Sequence, residues 1–182
     1  MTKALIVIDV QESFRQRDSW RRVSTPDIAD KAGRLVDIAR GNGDLVVWVL
    51  HTEPGTGHVF AVDSGFVRLL DGLKPEPGEP VLTKTSRNAF TTTNLQQILT
   101  EKGIRELVIC GIQTEQCCET TTRLAADLGY DVTFVTEATA TFPIPHRSGT
   151  GELGVKEIIE RTEYALSGRF ATISTIAELA VG

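Results

Sequence analysis

Glu106-Leu-Val-Ile-Cys-Gly-Ile-Gln-Thr-Glu-Gln-Cys-Cys-Glu-Thr-Thr-Thr-Arg-Leu-Ala-Ala-Asp-Leu-Gly-Tyr-Asp-Val-Thr-Phe-Val-Thr136 is the stretch that decides the fold. Residues 106–112 form an almost unbroken apolar run, the pattern of a strand buried on both faces. From about 117 to 128 the apolar residues follow helical spacing, and Gly129 stops that helix. Residues 131–136 read as a second strand, rich in β-branched and aromatic side chains. A strand, a helix and a strand in succession predict two parallel strands joined by a crossover helix.

The same alternation extends to both ends of the chain. Ala4-Leu-Ile-Val-Ile-Asp-Val10 is an apolar run interrupted near its end by a carboxylate. Residues 27–40 have helical spacing, with Thr25-Pro26 as N-cap and first-turn proline and Asn42-Gly43 as the stop. Leu45-Val-Val-Trp-Val-Leu50 is a second strand, and Pro80-Val-Leu-Thr-Lys84 a short third one. Helices are expected at 93–102, at 152–166 with His146-Arg147 opening that region, and at 176–181; a last strand is expected at 170–173. The pattern gives six strands in an α/β fold, a parallel sheet covered by helices on both faces, within one domain over residues 1–182. The irregular segment 51–80 is long for a plain connection, and loops of that length commonly carry function.

Composition narrows the functional class. The net charge is -5, and the basic residues are scattered. The densest group, Arg15, Arg17, Arg21 and Arg22, is interleaved with Glu12, Asp18 and aromatics and reads as a solvated loop or a site rim, so neither nucleic acid nor an anionic membrane is expected as a partner. Ala4–Val10 is too short for a secretory h-region and charge follows it at once, which argues against a signal peptide. The 3 cysteines make no disulfide framework and lack the paired spacing of a zinc site, so a reducing cytoplasm is the expected compartment and no metal or cofactor is expected.

In open parallel sheets, ligands bind beyond the carboxyl ends of the strands. The polar residues at those ends are Asp9, Gln11, His51, Glu53, Lys84, Gln113, Thr114, Cys117 and Glu137. Cys117 falls in the first turn of a helix, where unpaired N–H groups and the helix dipole favour an anion and a thiol is expected to lose its proton readily. If Asp9 and Lys84 meet it there, Lys84 steadies the thiolate and Asp9 moves protons. Backbone N–H groups of the Gly111–Cys117 turn are then placed to hold a tetrahedral oxyanion. Such a set suits hydrolysis of an amide through a thioester.

Asp9-Val10-Gln11 with Phe14, Lys84 with Asn88-Ala89-Phe90, and Gly111-x-x-Thr114-x-x-Cys117-x-x-x-Thr121 together resemble the isochorismatase-like cysteine hydrolases, which include nicotinamidases, N-carbamoylsarcosine amidases, and ureidoacrylate and biuret amidohydrolases. The resemblance runs from Leu5 to about Ala140. It implies a Rossmann-like three-layer α/β/α fold around a six-stranded parallel sheet, and a catalytic Asp9, Lys84 and Cys117. It further implies an oxyanion hole from the backbone N–H groups of Gln113 and Cys117, a non-proline cis peptide at Ile112–Gln113, and Gln11 and Phe14 at the substrate pocket. A homo-oligomer, dimer or tetramer, acting on a small-molecule substrate is the implied assembly. The chain departs from nicotinamidases, whose metal-binding Asp-x-His is replaced by His51-Thr52-Glu53-Pro54 with His58 beyond. It departs from true isochorismatases in having Cys117, which argues against vinyl-ether hydrolysis.

Simpler roles stand beside these. Cys110 and Cys118 read as core. Lys84 taken alone reads as a solvated surface lysine, and Gln11 as an organiser of the Asp9 loop. His51 and His58 read as loop-ordering residues, Thr121 as support for the nucleophile turn, and Trp20 and Phe60 as core aromatics. Two other classes remain: a non-hydrolytic small-molecule-binding or redox-responsive protein using Cys117 and Cys118, and a flavodoxin-like or nucleotide-binding protein. The second lacks a glycine-rich phosphate turn after the first strand.

Overall fold

The structure, a computed structural model, describes residues 3–181. In chain order the strands are β1 (Lys3–Ile8), β2 (Leu45–His51), β3 (Val81–Lys84), β4 (Glu106–Ile112), β5 (Asp131–Ala140), β6 (Ile144–Pro145), β7 (Glu152–Leu153) and β8 (Thr172–Ile173). The helices are α1 (Glu12–Arg15), α2 (Ile28–Gly41), α3 (Leu95–Glu101), α4 (Glu119–Asp127), α5 (Val155–Leu166) and α6 (Ile176–Leu179). Six strands form one parallel sheet in the order β3-β2-β1-β4-β5-β8, and β6 and β7 make a separate antiparallel hairpin.

Side chains alternate across the central strands, so each strand feeds two cores. Ile6, Ile8, Val47, Val49 and Ile109 pack against α3, α4 and α5 through Leu95, Leu99, Ala125 and Leu166. Leu5, Val7, Val46, Trp48, Val108 and Cys110 pack against α2 and α6 through Ile28, Leu35, Val36 and Ile176. This is the three-layer α/β/α arrangement, and the continuous burial of β1 and β2 explains their unbroken apolar sequences. The edge strand β3 buries only its last residue, Lys84.

The chain winds outward from β1 in one direction through β2 and β3, and in the other through β4, β5 and β8. The reversal lies between β1 and β4, and ligands bind beside such a switch point. Here the two strands come unusually close. Gly111 pairs with Ile8, its φ is 134°, and a Cβ on it would stand 1.9 Å from the Ile8 carbonyl oxygen. Only glycine fits there.

Several local expectations are corrected. β1 stops at Ile8 and does not reach Val10, because Asp9 turns out of the strand with a φ of 54°. Thr25 does not cap α2; its hydroxyl donates to the Thr139 carbonyl at 2.7 Å, and Asp27 holds the N-cap position without a side-chain bond. The helix expected to span about 117–128 begins as a π-helical turn over Thr114–Cys118 and becomes α-helical at Glu119. The helix expected from 152 starts at Val155. Residues 152 and 153 pair with 145 and 144, and His146-Arg147 lies in the hairpin connection. Pro143 and Pro145 lack donors and push their predecessors towards extended backbone, which favours a ribbon over a helix there.

Replacing Gly111 with alanine puts a methyl group inside the β1 backbone. The expected result is a loss of stability on the order of 4 kcal/mol or failure to fold, read by urea denaturation. A Gly111→Ala protein as stable as the parent contradicts the close approach.

Candidate active site

Three strand ends deliver three charged or nucleophilic side chains to one point. Asp9 follows β1, and it is the one described non-glycine residue with positive φ. Asp tolerates this left-handed conformation better than most residues, and such backbone tends to occur at functional sites. Lys84 ends β3. Cys117 stands in the π-helical turn after β4, behind the cis peptide at Ile112–Gln113 that the family resemblance implied. Single π turns within helices are frequent at functional sites.

Asp9 and Lys84 are wholly buried, with Nζ 2.7 Å from Oδ2. The Lys84 ammonium and the Cys117 thiol are the groups that face this carboxylate. Nζ also reaches Cys117 Sγ at 3.4 Å, His51 Nδ1 at 3.2 Å and the Ser86 carbonyl at 3.2 Å. A buried lysine needs partners of this kind to stay charged. Lys84 has four.

The protonation states follow from burial and charge together. Burial raises the Asp9 pKa above the ordinary carboxylate value, and the Lys84 charge opposes that rise. The Cys117 thiol is pushed up to about 12, mainly by burial and then by the Asp9 charge, with Lys84 pulling the other way. The expectation of an easily ionised thiol is therefore corrected. The turn does not outweigh the burial of Cys117, a residue 6% exposed, beside a carboxylate. A carboxylate facing a protonated thiol describes a base and its proton, not a resting thiolate. Burial and the Lys84 charge also hold His51 neutral.

These groups open onto a cavity of about 650 Å³, within the range of small-molecule sites. Asp9, Gln113, Gln116 and Cys117 form its floor, Phe14, Phe60 and Phe142 an aromatic wall, and Pro143, Ile144 and Pro145 a further apolar side. Phe14 meets Phe60 edge-on at 5.0 Å and stacks on Phe142 at 6.0 Å. Arg17, His51, Glu53, His58 and Arg87 complete the lining.

The structure separates the strand-end candidates into groups. Phe14 lines the cavity as expected, and Phe60 is both core and wall. Gln11 does not line it. Its amide accepts from the His51 N–H at 2.7 Å and donates to the His51 carbonyl at 3.0 Å and to Ser13 Oγ at 2.9 Å, so it organises the loop. The Thr114 and Thr139 hydroxyls bond each other at 2.8 Å, and Glu137 accepts from the Ile176 N–H at 2.6 Å, away from the cavity. Thr121 accepts from the Ala89 N–H at 3.1 Å, tying the segment after Lys84 to α4. Cys110 and Cys118 are fully buried core residues. Glu53 sits between His51 (3.3 Å) and His58 (2.8 Å), and no three His, Cys, Asp or Glu side chains among the described residues are set to hold a metal ion. Sequence reading missed Arg87 and Phe142, whereas Arg17 belongs to the basic group read as a solvated loop or a site rim and does line the cavity. The one signal for Arg87 was its place three residues past Lys84; nothing periodic marks Phe142.

The pairing of Lys84 with Asp9 makes a testable claim. Lys84→Met leaves a buried carboxylate without its cation, and the expected cost is about 3–5 kcal/mol in urea denaturation. The same substitution removes the one charge that lowers both Asp9 and Cys117, so alkylation of Cys117 by iodoacetamide at pH 9 is expected to slow. Unchanged stability and unchanged alkylation together contradict the pairing.

Known proteins resemble this chain over most of its length. Residues 3–153 match the isochorismatase domain family model. The isochorismatase family protein YrdC of Bacillus subtilis is 29% identical over 177 residues, covering 97% of this chain and 94% of that protein. The ureidoacrylate amidohydrolase RutB of Rhizobium rhizogenes is 25% identical over 207 residues, covering 95% of this chain and 80% of the relative. Among solved structures, an isochorismatase from Pseudomonas putida superposes with a TM-score of 0.86 at 29% identity, covering 97% of this chain and 89% of the other. The strand order and the match over most of its length lead to one conclusion: the chain belongs to the isochorismatase family of hydrolases.

Proposed function

We propose that this protein hydrolyses the C–N bond of a small amide, ureido or carbamoyl compound, with Cys117 as nucleophile, Asp9 as proton carrier and Lys84 as their electrostatic partner. The observation that carries this reading is the convergence of the three at one point, Asp9 and Cys117 on the cavity and Lys84 behind them, with the Asp9 carboxylate beside a protonated thiol. Asp9 takes the thiol proton as sulfur attacks the substrate carbonyl, so the thiolate forms only when it is used. The oxyanion of the tetrahedral intermediate faces the backbone N–H groups of Gln113 and Cys117. Asp9 returns its proton to the leaving nitrogen, the C–N bond breaks, and a thioester remains. Water, deprotonated by Asp9, then attacks the thioester; the acid leaves and the thiol regains a proton.

The ureidoacrylate amidohydrolase among the relatives supports this reaction class. The alternative based on Cys117 and Cys118 as a redox pair loses support, because Cys118 is fully buried in the core behind the turn. The three free, buried cysteines fit the reducing cytoplasm that we propose as the compartment.

Cys117→Ala is expected to fold with a melting temperature near the parent's and to release no ammonia from any compound the parent hydrolyses. An active, folded variant rules out the mechanism. Asp9→Asn is expected to lower kcat by about 100-fold to 10,000-fold, the usual yield of general acid–base catalysis.

The pH profile supplies a further test. Burial favours the neutral acid, so the basic form of Asp9 needs a higher pH than an ordinary carboxylate with its value of 3.8. The acid limb of kcat/KM is therefore expected above that pH, and Lys84→Met moves it higher still. An acid limb that stays at the ordinary carboxylate value contradicts the role given to Asp9.

A further inference from the structure

We infer that the substrate carries an anionic group, a carboxylate by preference, which Arg17 and Arg87 hold while Cys117 attacks its amide carbon. The inference starts from a mismatch of charge. The chain as a whole is acidic, at -5, yet its cavity wall presents two guanidinium groups. Neither forms an ion pair or a directed hydrogen bond to an acidic side chain among the described residues; Arg21, Arg34, Arg105, Arg147 and Arg169 share that lack, but of the unpaired arginines only Arg17 and Arg87 line this cavity. The acids on the wall are already engaged. Asp9 is matched by Lys84, and Glu53 lies between His51 and His58.

The contacts that Arg17 and Arg87 do make leave their donors open. Arg17 lies over the Phe60 ring at 5.7 Å, a contact that uses none of its N–H groups on an acceptor oxygen. Arg87 NH1 is 3.4 Å from His51 Nε2. His51 is held neutral, so it has one ring proton. Its Nδ1 faces the donor-only Lys84, which places the proton on Nε2, towards the acceptor Glu53. Arg87 therefore faces an N–H and has no acceptor there.

Both arginines stand beside neighbouring rings of the cavity wall, since the Phe60 and His51 rings they touch are themselves 5.8 Å apart. A planar guanidinium matches a carboxylate with two parallel bonds. Next to Phe60, Phe14 and Phe142 offer an apolar face for the part of the substrate between its two ends. The class that fits is a small amide, ureide or N-carbamoyl compound with a free acid group a few bonds from the carbonyl.

The substrate class rests on the hydrolase reading, but its test need not. Cys117→Ala protein is titrated by calorimetry with N-carbamoylglycine and, separately, with its uncharged methyl ester. The acid is expected to bind at least about 10-fold tighter, the yield of one charge-assisted pair of hydrogen bonds. That preference is expected to weaken as sodium chloride rises from 20 to 500 mM, roughly in line with screening of charges at an open cavity.

Arg17→Gln and Arg87→Gln, each in the Cys117→Ala background, are expected to shrink the preference, and together to abolish it. Equal binding of acid and ester by the parent cavity overturns the inference, as does a preference that survives both substitutions. The salt series on the parent cavity decides the matter if the doubly substituted protein fails to fold. If neither compound binds, succinamate and its methyl ester serve as the second pair, and failure of both acids to bind overturns the inference. Preferential binding of the acid with no turnover of any amide by the wild-type protein would leave the anion clamp standing and remove the hydrolase reading.

Discussion

The site depends on one buried ion pair, Lys84 with Asp9. Neither charge could stay where it is without the other, since an isolated charge in such a place would be neutralised or would unfold the site. The pair also fixes what the cysteine is. A carboxylate alone would hold the thiol still more firmly protonated, and a lysine alone would favour a standing thiolate. Together they leave a neutral thiol next to an available base. The strands around them exist to bring those three groups to one point while sealing it from water: β1 and β4 at the reversal of strand order, β3 at the edge.

The fold was legible in the sequence because the informative strands are buried on both faces. Residues 45–50 and 106–112 show as apolar runs for that reason, and the observed β2 and β4 match them closely. Elements shorter than a period left no such trace. The four-residue α1 and the two-residue β6 and β7 bury too little to show a pattern, so His146-Arg147 was read as the approach to a helix when it belongs to a hairpin connection. The extent of α4 was nearly right, but the π turn before it has no sequence signature in Thr114–Cys118.

The site was legible in part, for a different reason. Asp9, Lys84 and Cys117 were visible as polar residues at strand ends, and their convergence is a geometric fact that strand order supplies and periodicity does not. Lys84 shows the gap most clearly: alone it reads as a surface residue, and only its place on β3, pointing beneath the cavity, makes it buried. The thiol's protonation was misjudged because the position of Cys117 near a helix start can be read from sequence, whereas its depth and the nearness of Asp9 cannot. Arg17 and Arg87 sit in loops, where the sequence gives no information about which way a side chain faces.

Gln11 has a consequence for how the site is built. Backbone pairing between β1 and β2 follows the usual ladder as far as Ile8 and Val49, and then Asp9 turns away. A primary amide has the same donor and acceptor as a peptide group, and the Gln11 amide binds His51 through both. The side chain thus stands in for the missing rung and continues the sheet for one more step after the main chain has left it. β2 can keep its last residue straight, with His51 aimed at Lys84, while β1 bends sharply to present its carboxylate. A break in one strand has been separated from its neighbour, so the site's most distorted residue lies beside one of its most regular.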